Sequence, residues 1–105
     1  MADSHIPVAC ALTDSEFRER RTEILHSFRG AVLETEELEN GYRYRFPSSA
    51  AWITQLAQFI TFERECCPFL QFDLRLEPGD GPIWLELTGP EGTKDFLRTL
   101  FQQTS

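Results

Sequence analysis

Residues 31–66 and 69–103 carry the same series of local signals in the same order, and this internal echo constrains the fold more than any other feature of the chain. In the first stretch, Ala31–Leu38 and Tyr42–Phe46 read as strands, with Tyr42, Tyr44 and Phe46 facing one way and Arg43 and Arg45 the other. Glu39-Asn40-Gly41 joins them, and Asn-Gly predicts a tight hairpin with positive backbone torsions. Pro47-Ser48-Ser49 then opens a helix that runs through about Cys66. In the second stretch, Leu70, Phe72, Leu74 and Leu76 alternate with Gln71, Asp73 and Arg75. A turn at Pro78-Gly79-Asp80-Gly81 leads into a strand at Ile83–Thr88. Past Gly89-Pro90, a last helix places Phe96, Leu97, Leu100 and Phe101 inward. Two such hairpin-helix units predict a two-layer α+β fold of order ββαββα, with a four-stranded antiparallel sheet and helices on one face.

Ahead of these units, residues 1–12 read as an extended segment with Ile6, Val8, Cys10 and Leu12 on one side. A first helix is expected over 13–29: Thr13 and Glu16 have the spacing of a capping box, Phe17, Ile24, Leu25 and Phe28 recur at helical intervals, and Gly30 stops the pattern. At 105 residues and 41% apolar content the chain reads as a single domain with a core that needs no disulfides. Its 17 acidic residues against 10 basic ones give a formal charge of −7, which repels phosphate backbones and anionic lipid, so neither nucleic acid nor membrane is an expected partner. No apolar run approaches bilayer length and residues 1–13 lack a signal-peptide pattern, so a cytoplasmic location is expected. In a reducing compartment, three cysteines read as free thiols, metal ligands or redox groups.

Two of those cysteines are adjacent, in Glu63-Arg64-Glu65-Cys66-Cys67-Pro68-Phe69, where a helix should stop because Pro68 biases Cys67 away from helical torsions. A disulfide between neighbours strains both the peptide and the preferred disulfide torsion, which points towards soft-metal or redox chemistry. At about 100° per residue, Trp52, Ile53, Leu56, Phe59 and Ile60 form an apolar arc on the helix. Glu63 falls near its centre, with Cys66 and Cys67 to either side. A carboxylate on that line must be protonated, paired or bound. Its bland reading is a contact with water or Arg45; its sharper one is a ligand, or a base that accepts thiol protons. The bland reading of the cysteines is core filling. Local electrostatics disfavour a reactive thiolate, because a helix C-terminus and two glutamates surround the pair. A metal supplies its own charge and reverses that argument. Cys10, Cys66, Cys67 and Glu63 are therefore the candidate ligands, and zinc, copper(I), mercury(II) or arsenic(III) the candidate ions. His5 and His26 read as solvated or packing residues.

The Glu63-to-Leu70 stretch with Phe72, followed by Trp84-Leu85-Glu86-Leu87-Thr88-Gly89-Pro90-Glu91-Gly92-Thr93, resembles a poorly characterised family of short bacterial proteins with an E-R-x-C-C-P-F-L motif. The resemblance spans most of the chain and implies a bacterial cytosolic domain, with no activity to carry over. The expected function is a small thiol-based metal-binding protein that senses, buffers or confers resistance. An interaction or oligomerisation module with core cysteines is the alternative. A thiol redox enzyme is the weakest reading, because no acid-base partner has suitable spacing. Asp73, Glu86 and Trp84 share the sheet face opposite the aliphatic rows, and a homodimer covering that face through an exposed Trp84 is a further expectation.

Overall fold

The computed structural model describes the backbone of residues 15–101 and the side chains from Glu19 onward. The expected extended segment 1–12, with Cys10 and His5, lies outside the described residues, as do Thr13, the side chains of Glu16 and Phe17, and residues 102–103. The elements run α1 (Ser15–Ala31), β1 (Glu34–Leu38), β2 (Gly41–Phe46), α2 (Ala50–Cys66), β3 (Gln71–Leu76), β4 (Ile83–Thr88) and α3 (Thr93–Phe101). The fold is α+β, and ββαββα follows the N-terminal helix as the repeat predicts.

The four strands form one sheet of order β1-β2-β4-β3, with every neighbouring pair antiparallel. Each hairpin therefore places its second strand in the middle, and β2 pairs with β4 from Gly41 opposite Thr88 to Phe46 opposite Ile83. That register aligns Tyr42, Leu87 and Phe72 across one face, then Tyr44, Leu85 and Leu74, then Phe46, Ile83 and Leu76. These rows form the helix-covered face. Phe28 of α1 inserts between the layers: its ring lies 4.5 Å from Phe46, 4.1 Å from Phe59 of α2 and 4.8 Å from Phe101 of α3, centroid to centroid. Removing such a buried ring costs about 3–5 kcal/mol. α1 is thus built into the core and does not merely cap an edge.

α2 begins at Ala50 rather than at Pro47, because Ser49 takes the cap in an extended conformation and its hydroxyl accepts from the Trp52 amide at 3.2 Å. It ends where Pro68 forbids continuation. Cys67 leaves the helix with φ −128° and ψ 73°, yet its amide still donates to the Glu63 carbonyl at 2.6 Å. α1 continues through Gly30 to Ala31, so that glycine is not the stop expected of it.

The first hairpin also differs from expectation. Leu38 pairs with Gly41 across a loop of Glu39 and Asn40, and neither Asn40 nor Gly41 has a positive φ. Gly41 serves another purpose. A Cβ there would stand 1.9 Å from the Leu87 carbonyl oxygen, so β2 and β4 approach closely only because the side chain is absent. The positive torsions fall instead at Gly79 and Gly92.

The other sheet face is not bare. Trp84 is only 7% exposed, because the Arg43 guanidinium lies over its ring at 4.1 Å from the centroid. Arg45 bonds Glu34 at 2.9 Å, and Arg43 stands 3.3 Å from Glu36 and 4.0 Å from Glu86. This covering corrects the premise of a dimer built on an exposed Trp84.

Two glycine substitutions should separate by mechanism. Gly41→Ala should lose several kcal/mol in urea denaturation, as it clashes with β4 backbone. Gly30→Ala, with nothing within 4 Å of the added carbon, should gain up to about 1 kcal/mol from helix propensity. Equal effects would refute the close-approach account.

Candidate metal centre

The C-terminal turn of α2 directs Glu63 and Cys66 inward, and the chain's exit places Cys67 beside them. All three are 0% exposed. One donor atom from each can be chosen so that the three lie within 4.8 Å of one another. The stop at Pro68 thus brings two adjacent sulfurs, one helical and one just beyond the helix, to the same carboxylate.

Glu63 neither reaches water nor meets Arg45, which is engaged with Glu34. Its partner is Arg21 of α1. Arg21 Nε donates to Glu63 Oε2 at 2.8 Å and Nη2 donates to Oε1 at 3.1 Å, a bidentate pair with side-chain exposures of 12% and 1%. The same Nη2 points to Cys67 Sγ at 3.6 Å, and the Cys67 thiol donates to Glu63 Oε1 at 3.4 Å. Arginine, carboxylate and thiol close a small buried ring. Arg21 is the participant the sequence reading missed. The available signal was its position at i−4 and i−7 from Leu25 and Phe28, an arginine on the buried stripe of α1.

Two further arginines tie down the same helix. Arg20 lies over the Phe62 ring at 5.5 Å, and Arg29 Nη1 donates to the Leu100 carbonyl at 2.7 Å, satisfying an acceptor in the last turn of α3. His26 is exposed on α1.

Burial pushes the Cys67 thiol far above its usual range; the charge of Glu63 and the neighbouring Cys66 add to the effect, and Arg21 opposes it. Cys67 is therefore a neutral thiol at physiological pH and a poor nucleophile. Arg21 is held protonated: the bond to Glu63 and its charge outweigh the largest single influence, desolvation, which acts the other way. The arrangement suits a ligand that displaces protons better than one that requires a thiolate already formed.

Cys10, the third expected sulfur, lies outside the described residues. The described residues bring together Glu63, Cys66 and Cys67. No helix among them is long and apolar enough to cross a membrane. Comparison with protein-family models, with curated proteins and with solved structures gave no match.

Arg21→Ala should destabilise the protein by about 3–5 kcal/mol near neutral pH, because it strands a buried carboxylate. Replacing both members, as Arg21→Met with Glu63→Leu, should recover most of the loss. A double variant as unstable as the single one would show that Arg21 acts through packing alone.

Raised in the folded state, the Cys67 pKa stabilises the fold fully below the unfolded-state value of about 8.5, and that contribution drains away as pH rises above it. Wild-type stability should fall with pH by up to about 1.4 kcal/mol per unit between pH 9 and 10 relative to Cys67→Ser. Parallel pH profiles would refute the shift.

Proposed function

We propose that this chain is a thiol-based metal-binding protein in which Cys66, Cys67 and Glu63 take up a thiophilic divalent ion. The carrying observation is the mutual approach of their donor atoms within 4.8 Å. Two sulfurs bonded to one ion at about 2.3 Å can stand no more than about 4.6 Å apart, so donor atoms gathered this closely are of the spacing a shared ion requires.

Charge selects among the ions. With both thiols deprotonated and Glu63 ionised, the donors carry three negative charges. A divalent ion together with Arg21 supplies three positive ones, giving a neutral buried cluster. Copper(I) would leave it one charge negative and arsenic(III) one charge positive, each a cost in a buried setting. Zinc and mercury(II) fit best. Zinc favours four ligands and would recruit a further donor, whereas mercury(II) is satisfied by the sulfur pair. Sensing, buffering and resistance, in a bacterial cytoplasm, are the roles such a site suits.

One observation favours a second reading. The bidentate Arg21–Glu63 pair already satisfies the carboxylate and joins α1 to α2, so the cluster can serve as the internal lock of an interaction module whose cysteines are core.

Anaerobic titration with zinc and with mercury(II) distinguishes the two. The metal reading expects stoichiometric uptake with proton release, a thiolate-to-metal absorption band for mercury(II), and loss of both in Cys66→Ser and Cys67→Ser. Uptake should weaken steeply as pH falls, since protons compete for the sulfurs. Uptake unchanged in both serine variants, or none in the wild type, rejects it.

A further inference from the structure

The two edges of the sheet are built differently. β1 reads Glu34-Thr35-Glu36-Glu37-Leu38, and a second copy laid antiparallel against it would bring glutamate against glutamate. Like charges directly opposite are unfavourable, and such edges resist pairing. β3 reads Gln71-Phe72-Asp73-Leu74-Arg75-Leu76 and has no neighbour on its outer side among the described residues. It lies beyond full cover of the helix layer. Leu74 and Leu76 are 37% and 50% exposed although they belong to the helix-facing rows. Among the described residues neither Asp73 nor Arg75 has an ion-pair partner; Asp73 accepts only from Gln71 beside it, at 3.1 Å.

We propose that β3 pairs antiparallel with β3 of a second copy of this chain, about a two-fold axis through Leu74. In that register Leu74 meets Leu74, Phe72 meets Leu76, and Asp73 meets Arg75, the last two twice by symmetry. Residues directly opposite in an antiparallel pair point to the same side. One side of the junction is therefore wholly apolar and continues the row beneath the helices, while the other carries two ion pairs made from charges that have no ion-pair partner among the described residues of each chain. The self-complementarity commits the edge to its own copy: Asp73 and Arg75 stand one residue to either side of the axis, and a slip by one residue in the pairing sum would lose the Leu74 match and both ion pairs. The joined structure is an eight-stranded sheet with β1 at both ends, where Glu34, Glu36 and Glu37 are already engaged by Arg45, Arg43 and Lys94 of their own chain. This replaces the open-face dimer, whose tryptophan is already covered by Arg43.

Sedimentation equilibrium on the full chain tests the pairing, with circular dichroism to confirm folding of these surface variants. The wild type should be a dimer at micromolar concentration. Leu74→Lys should place like charges at the axis and yield monomer. Asp73→Arg and Arg75→Asp should each raise the dissociation constant about tenfold, by setting like charges opposite one another. The double variant Asp73→Arg with Arg75→Asp should return towards the wild-type value, because the exchanged charges again face their opposites across the axis. A monomeric wild type overturns the proposal. So does a dimer indifferent to Leu74→Lys and to the single reversals, which would place the contact elsewhere, such as on the segment before Ser15.

Discussion

The paired charge of Glu63 and Arg21 settles where the helices lie. A carboxylate near the end of α2 that is fully buried is tolerable only if a cation reaches it, and Arg21 of α1 supplies that cation. Fixing Arg21 there brings Phe28, two turns further along α1, down onto Phe46 and Phe59. Arg29 then reaches the last turn of α3. The polar contact selects the position of α1, while most of the stabilisation comes from burial of the rings it delivers.

The same end of α2 concentrates three roles in one short stretch. Pro68 ends the helix, Cys67 turns the chain while still bonding to the Glu63 carbonyl, and both sulfurs face the carboxylate. Helix termination thus sets where both sulfurs stand relative to the carboxylate.

The order of elements was legible because each hairpin signals itself locally. Leu70, Phe72, Leu74 and Leu76 alternate as a strand must, and Pro47 and Pro68 bracket α2. The sheet order was not legible: nothing in the spacing states that β2 joins β4. The role of Gly41 was misread for the same reason. Next to Asn40 it looks like a turn residue, and only its approach to Leu87 across the sheet reveals the constraint. At the site, helical geometry placed Glu63 near the centre of the apolar arc with Cys66 and Cys67 to either side, but Arg21 lies 42 residues from Glu63, and the periodicity that puts Arg21 on the buried stripe of α1 does not name a partner so distant in sequence. Trp84 looked exposed because its face was judged without the arginine stacked on it.

The central pairing of β2 with β4 also bears on how the chain reaches this structure. Each hairpin can close locally, yet the strand that completes its core row belongs to the other unit, and Phe46 must find Ile83 across the whole of α2 and β3. Loop-closure entropy is spent before that non-local ladder forms. The two units consequently gain their stability together, because neither completes its core row without the strand that the other supplies.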